Sequence, residues 1–312
     1  MSVNPKECRV ALLAGGTSGE REISIASGKG AKGALEEAGF TVEWIDPSKS
    51  EDLKRLIDEK FDVAFLTLHG KMGEDGTVQG MLELLHIPYT CSGVQASANA
   101  MDKIKSKILY MTGDIPTAKF KQLNYGQEID YDELVKTIGI PCVVKPATEG
   151  SALGVEIVES AEDLPAAIDR VFAIDKLALI ESFVEGTEVT AAVLGNDDPR
   201  GLPVIKIVPK KGEFYDFESK YAPGGSEHIC PAPIDPDITA KIQEYAIVAH
   251  KVLGCRGVSR SDFIIDKDGI PWILETNTIP GMTATSLLPD AAKADGMTFP
   301  ELCTKLIEFA LE

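Results

Sequence analysis

The sequence predicts a mixed α/β and α+β protein, with a parallel-sheet domain first and antiparallel hairpins after it. Three observations predict this. Apolar runs alternate with helical patterns through the first third of the chain, the βαβ rhythm of a parallel sheet. Glycine turns follow two of those runs, at Gly15-Gly16-Thr17-Ser18-Gly19 and at His69-Gly70, where a parallel sheet carries its ligand loops. From about residue 98 the texture changes, and apolar runs come in pairs joined by short turns, the pattern of hairpins.

Taken in order, residues 10–14 form a buried-strand run, and 23–38 a helical pattern that Gly39 ends. Residues 40–45 read as a second strand, 50–59 as a helix, 63–68 as a third strand, 79–85 as a helix and 87–91 as a short strand. Together they make a Rossmann-like domain over residues 1–97. Residues 102–112 form a basic helix carrying Lys103, Lys105 and Lys107. "GIPCVVKPATEGSALGVEIV" then reads as two strands joined by a glycine loop, followed by an acidic helix over 161–171 and a strand over 177–180. This central unit spans 98–184. The last unit, 185–312, has strands over 189–194, 204–208, 263–265 and 272–274, one long helix over about 237–253 and a helical tail. No repeat or low-complexity linker separates the units, so they are expected to pack tightly.

The bulk numbers bound the function. A chain of 312 residues suffices for two or three domains and a sizeable core. Its net charge of −18 argues against nucleic acid and anionic membrane surfaces as partners, since both need basic patches. The polar opening segment carries no secretory signal, and no run approaches the roughly 20 apolar residues needed to span a bilayer. Six scattered cysteines without a CxxC pair, beside only four histidines, make a zinc site improbable. They read as reduced, buried thiols of a cytoplasmic protein.

The most informative stretch is "GVSRSDFIIDKDGIPWILETN". Asp268-Gly269 between apolar runs signals a two-residue turn. That turn sets Lys267 opposite Ile270, Asp266 opposite Pro271, Asp262 opposite Glu275 and Arg260 opposite Asn277. Facing carboxylates repel unless a cation lies between them. Side chains two apart share a face, so Arg260, Asp262, Glu275 and Asn277 form one polar surface. Hard oxygen ligands of this kind suit Mg²⁺ together with substrate phosphates; the plain alternative is a solvated face on an edge hairpin. The other face, with Phe263, Ile265, Trp272 and Leu274, is expected in the core.

Four further segments carry chemistry less specifically. "CVVKPATEGSALGV" ends a strand at Lys145 and opens a loop whose N–H groups can cover phosphates, though it contains no GxxxxGK[ST] and a surface turn explains it equally. "LALIESFVEGTEV" suits a strand-to-linker segment that meets an adenine and a ribose, or a domain junction with solvated acids. "KKGEFYDFESKYAPGGSEHICPA", rich in Gly, Pro and aromatics, reads as a lid or as a plain surface loop. "NTIPGMTATSLLP" offers a backbone N–H at Gly281 and a helix start at Ser286-Leu287 that suits a carboxylate or is simply capped. The glycine turn at Gly15 looks like a nucleotide loop, but Glu20 and Glu22 would repel a pyrophosphate and GxGxxG is absent.

Taken together, "GGTSGEREIS", "HGKMGEDGTVQGMLELLHIPYTCSG", "MDKIKSK", "VVKPATEGSALGV", "FYDFESKY", "SRSDF" and "LETNTIPGMTATSLLP" resemble the D-alanine–D-alanine ligases of the ATP-grasp superfamily. The resemblance runs nearly end to end. It implies a two-part ATP-grasp fold behind the Rossmann-like domain, and ligation of two D-alanine molecules through an acyl phosphate for peptidoglycan synthesis. ATP would lie between the last two units, with Lys103 and Lys145 near its phosphates, Glu181, Phe183 and Val184 around the adenine, and Glu188 on the ribose. Asp262, Glu275 and Asn277 would hold two Mg²⁺ or Mn²⁺ ions.

On the substrate side the resemblance implies that Glu20 binds the ammonium of the first D-alanine, with His69 near its reacting carboxyl. Arg260 and the Gly281 N–H would stabilise the oxyanion, and Ser286 and Leu287 would hold the carboxylate of the second D-alanine. Ser151, Lys220 and Tyr221 would tie the lid over the site. A homodimer is expected on the same ground. Where the family usually has two serines in the glycine loop, this chain has Ser151-Ala152. Two rival functions are a ligase of D-alanine to D-lactate, which Tyr221 disfavours by the same resemblance, and a non-catalytic ATP-binding regulator, which has no need of Arg260.

Overall fold

The computed structural model describes residues 3–209, 225–283 and 285–312. In β1 (Arg9–Leu13) every residue from Val10 onward is fully buried, so both faces of the strand are covered. After α1 (Arg21–Glu37), the strand β2 (Thr41–Ile45) pairs with β1 in parallel. α2 (Ser50–Asp58) follows, and β3 (Val63–Leu66) joins the other side of β1. The order β2-β1-β3 is the parallel sheet that the βαβ rhythm predicts.

The fourth strand expected over 87–91 does not form. Only Ala64 and Tyr89 make a parallel bridge. Pro88 has no N–H to give a ladder, and Cys91 has a left-handed φ of 72° that ends extended backbone there.

α3 (Thr77–Leu84) and α4 (Val94–Met101) lead to α5 (Lys103–Thr112), whose start is fixed by the Asp102 side chain accepting from the N–H groups of Ile104 and Lys105. The second sheet holds β4 (Phe120–Asn124), β5 (Cys142–Pro146), β6 (Glu156–Val158) and β7 (Leu177–Ser182) in the order β4-β7-β5-β6. The hairpin of β5 and β6 is the one read from the glycine loop. Between these strands lie α6 (Tyr131–Ile138) and α7 (Leu164–Phe172). Sequence reading missed β4, because it is an edge strand whose side chains are mostly in water.

The third sheet runs β11-β10-β8-β12-β13, with β9 beside β8. Its members are β8 (Thr187–Leu194), β9 (Arg200–Gly201), β10 (Ile205–Pro209), β11 (Ser226–Ile229), β12 (Val258–Ile265) and β13 (Pro271–Asn277). α8 (Pro236–Leu253) buries Ile242, Ala246 and Ala249 against Val189, Val193 and Phe263 of this sheet. Part of the expected lid is therefore strand: Ser226–Ile229 is tied to β10 by a backbone ladder. The rest of it, residues 210–224 with Lys220 and Tyr221, lies outside the described residues.

α9 (Leu287–Ala294) and α10 (Phe299–Leu311) close the chain. Leu302, Leu306 and Ile307 of α10 share a core with Leu12, Phe65 and Leu35, so the C-terminal helix packs onto the N-terminal sheet. Among the described residues, no helix is long and apolar enough to cross a membrane.

Candidate active site

Glu20 is the residue before α1, yet its side chain makes no capping bond. The glycine turn ahead of it is already engaged within the protein. Gly15 N–H donates to Ser24 Oγ at 2.8 Å, and Gly16 N–H donates to Asp46 Oδ1 at 3.0 Å. Burial opposes ionisation of Asp46, but Arg21 at 2.6 Å, Ser48 and the Gly16 N–H outweigh it and hold the carboxyl well below its usual range. Amides committed in this way do not cradle a phosphate, in line with the sequence reading of this turn.

The Glu20 carboxylate instead accepts a hydrogen bond from the Ser151 hydroxyl across the cleft. Gly70 and Gly150 make room for it: a Cβ added at either would come within 2.5 Å and 2.9 Å of Glu20 Oε2. Ser18 Oγ donates to the His69 carbonyl at 2.6 Å, which joins the two loops at the sheet's C-terminal edge. The His69 ring is buried, with Nε2 3.1 Å from Ser27 Oγ. Burial, reinforced by the charge of Arg260, presses its pKa down to about 4, so the imidazole is neutral near pH 7.

The hairpin of β12 and β13 pairs Asp262 with Glu275 and Arg260 with Asn277, as expected. It does so by a different route. Pro271 pairs with Ile265 rather than Asp266, and the connection is Lys267-Asp268-Gly269 with Gly269 at φ +79°. A left-handed third residue is usual in a three-residue hairpin loop. Asp266 fixes it by accepting from the N–H groups of Asp268 and Ile270, both at 2.9 Å. A β-bulge between Asp262 and Phe263, with Leu274 as the extra residue, restores the register at the site. On the opposite face the shift persists. Ile273, rather than Trp272 and Leu274, joins Phe263 and Ile265 in the core.

Each acid of this pair meets a cation. Arg260 Nε and Nη2 both lie 3.0 Å from the Asp262 carboxylate, and Thr190 Oγ1 donates to Asp262 Oδ1 at 2.6 Å. Lys103 Nζ is 3.8 Å from Glu275 and donates to the Glu149 carbonyl at 2.5 Å. Asn277 Oδ1 accepts from Ile279 N–H at 3.0 Å. Among the described residues, no three His, Cys, Asp or Glu side chains cluster as a ready-made metal cage. Two carboxylates and an amide are an incomplete hard-oxygen set, the kind Mg²⁺ completes with phosphate oxygens and water.

One cavity adjoins this surface, and a second lies at the turn end of the same hairpin. The first, of about 430 Å³, is bordered by Glu20, His69, Lys103, Arg260, Asn277 and Ser286, with Ser151, Glu275, Gly281 and Leu287 also on its wall. The second, of about 750 Å³, is bordered by Phe183, Val184, Thr187, Lys119 and Trp272. Lys145, Glu181, Glu188 and Asp262 border neither. Lys145 instead bonds Glu181 at 2.5 Å, and Lys107 bonds the same carboxylate at 2.7 Å. Burial raises the Glu181 pKa, but the two lysines more than offset it and hold it at about 2. Ser286 opens α9, and its Oγ accepts from Thr283 N–H at 3.0 Å.

Two residues of this region were missed by sequence reading. Lys107 was noted only as one charge of a basic helix, and its place beside Glu181 depends on strand β7, far along the chain. Glu74 borders the first cavity and accepts from Gly70 N–H at 2.7 Å. Burial, then the charge of Glu20, push its pKa up to about 8 despite that bond. A lone acid in a glycine loop carries no sequence signal of such burial.

Family models described as D-ala D-ala ligase N-terminus and C-terminus match residues 47–92 and 109–308. A D-alanine–D-alanine ligase of Syntrophobacter fumaroxidans is 48% identical over 313 aligned positions, covering 99% of this chain and 100% of the other. The structure of the Bacillus anthracis D-alanine–D-alanine ligase complexed with ATP superposes with a TM-score of 0.83 at 32% identity, covering 97% of each chain. The VanG D-Ala:D-Ser ligase of Enterococcus faecalis superposes with a TM-score of 0.85 at 30% identity, covering 97% of this chain and 99% of the other.

Proposed function

The chain belongs to the D-alanine–D-alanine ligase family, ATP-dependent ligases that join two D-alanine molecules, and we propose that its two cavities divide that reaction between them. The smaller cavity takes the two amino acids and the reacting phosphate. The larger takes the adenosine, with Phe183 and Val184 at the base. The observation that carries this reading is the convergence of Glu20, His69, Lys103, Arg260, Asn277 and Ser286 on one space, from five separate segments. The three sheets support units of 1–97, 98–184 and 185–312, with α10 returning to the first.

In the first step the carboxylate of one D-alanine attacks the γ-phosphate of ATP, giving an acyl phosphate and ADP. Glu20 holds that molecule's ammonium group, and neutral His69 lies beside its carboxyl. Lys103 meets the growing phosphoryl charge, with Lys145 supporting it from the Glu181 side. Asp262, Glu275 and Asn277 would hold Mg²⁺ or Mn²⁺, two ions in this reading, which neutralise phosphate charge when bound. Glu188 is assigned to the ribose and Glu181 to the adenine edge. Burial of Glu181 between two lysines supports, for that residue, a role in placing the lysines as well.

In the second step the neutral amine of the other D-alanine attacks the acyl carbonyl, and the tetrahedral adduct collapses as its C–O bond to phosphate breaks, phosphate taking the bonding pair and the nitrogen giving up a proton. The charge moves onto the carbonyl oxygen, where Arg260 and the Gly281 N–H stabilise it. Ser286 and Leu287 at the start of α9 hold the acceptor's carboxylate. Ser151, Lys220 and Tyr221 complete closure, which matters because water destroys an acyl phosphate. The product supplies peptidoglycan synthesis, and the same reading makes the protein a cytoplasmic homodimer.

The test is ATP-dependent phosphate release with D-alanine, L-alanine and D-lactate. Release with D-alanine alone is expected. ATP bound without turnover would overturn the ligase reading, and equal release with D-lactate would overturn the dipeptide.

A further inference from the structure

We propose that His228 is a positioning residue for the second D-alanine, holding the charge of Asp290 away from the acceptor's carboxylate. His228 lies on β11, paired with Ile207 of β10, and lines the smaller cavity together with Ser286 and Leu287. Nδ1 is 3.0 Å from Asp290 Oδ2, and Nε2 is 3.2 Å from Ser226 Oγ. A carboxylate at Nδ1 keeps the proton there. In the neutral ring Nε2 then accepts from the Ser226 hydroxyl, so both nitrogens are occupied and the ring orientation is fixed.

Asp290 sits in the first turn of α9. An acid at that position stabilises the helix, but it competes with the same helix start as a site for an anion. A second carboxylate brought to Ser286 and Leu287 would be repelled by it. The structure resolves this conflict with the imidazole. His228 borders the cavity, whereas the acid it holds does not. The residue therefore acts through Asp290 and α9 and not on the reacting atoms. This inference rests on the reading of Ser286 and Leu287 as the acceptor site.

The experiment fits velocity against D-alanine to separate constants for the first and second molecule, in His228→Leu, Asp290→Asn, the double variant and Ser286→Ala. His228→Leu is expected to raise the second KM about tenfold and the first less than about twofold. The double variant is expected to regain most of that loss, because the repelling charge is gone. Asp290→Asn alone is expected to show a second KM at or below that of the parent, a result that needs no folded His228→Leu. An unchanged second KM in His228→Leu, a double variant no better than the single, or both KM values rising together with a falling Tm would each overturn the proposal. Ser286→Ala separates the two readings. A raised second KM there beside an unaffected His228→Leu overturns the role of His228 alone; an unchanged second KM there overturns the acceptor site and this inference with it.

Discussion

Asp262 lies directly opposite Glu275 on the hairpin of β12 and β13, and each carboxylate has its own cation, Arg260 for the first and Lys103 for the second. Those cations offset the repulsion between the acids without cancelling their capacity for a divalent ion, since Asp262 and Glu275 remain hard oxygen donors next to the cavity wall. Glu275→Ala removes one donor from the set. Turnover is expected to fall by at least about 10²-fold at saturating ATP, the scale of charge stabilisation that a metal supplies. Phosphate release at the parent rate in this variant would remove Glu275 from the metal set.

In the proposed reaction Arg260 has a second duty, as an oxyanion donor. Its guanidinium is pinned to Asp262 by two bonds of 3.0 Å and still borders the cavity. A fixed cation costs no reorganisation when charge develops on a carbonyl oxygen. Arg260→Ala is expected to lower kcat about 10²–10³-fold. The measurement is single-turnover dipeptide formation, and an unchanged rate would exclude Arg260 as an oxyanion donor.

Glu74 gives a pH signature that does not depend on turnover. Its folded pKa of about 8 lies above the ordinary 4.5, chiefly through burial. Between those values the native chain binds more protons than the unfolded one, so stability is full below about pH 4.5 and declines as pH rises towards 8. Glu74→Gln retains an acceptor for Gly70 N–H and removes the charge. Urea unfolding is expected to show the variant more stable by about 4 kcal/mol at pH 8 and nearly equal to the parent near pH 4. An equal offset at both pH values would rule out ionisation as the cause.

The polar surface of the hairpin was legible because strand alternation and one turn signal suffice to pair Asp262 with Glu275. The turn itself was not. Asp266 draws two N–H groups to its side chain and widens the loop, and the bulge at Leu274 returns the register, so two unseen shifts offset at the site while Trp272 and Leu274 changed faces. Long-range burial was illegible for another reason. Lys107 meets Glu181 across 74 positions, and His228 meets Asp290 across 62, so neither segment carries a local mark of its partner. The strand expected at 87–91 failed on a local rule that was readable, the missing N–H of Pro88.

Glu20 offers the sharpest separation of binding from chemistry. Its carboxylate is framed by Gly70 and Gly150 and accepts from Ser151, so it is held by the glycine loop as well as by α1. An ammonium group placed against it gains a charge-assisted hydrogen bond, worth about 1.5–3 kcal/mol. Glu20→Gln keeps the shape and loses that charge. The first KM is expected to rise roughly 10–100-fold, while ATP affinity measured without D-alanine stays near that of the parent, because the cavity proposed for the adenosine is walled by other residues. Ser151→Ala removes only the bond between the loops. A smaller rise in the first KM is expected there, with slower closure. If Glu20→Gln and Ser151→Ala raised the first KM equally, the ammonium would not be the group that Glu20 recognises.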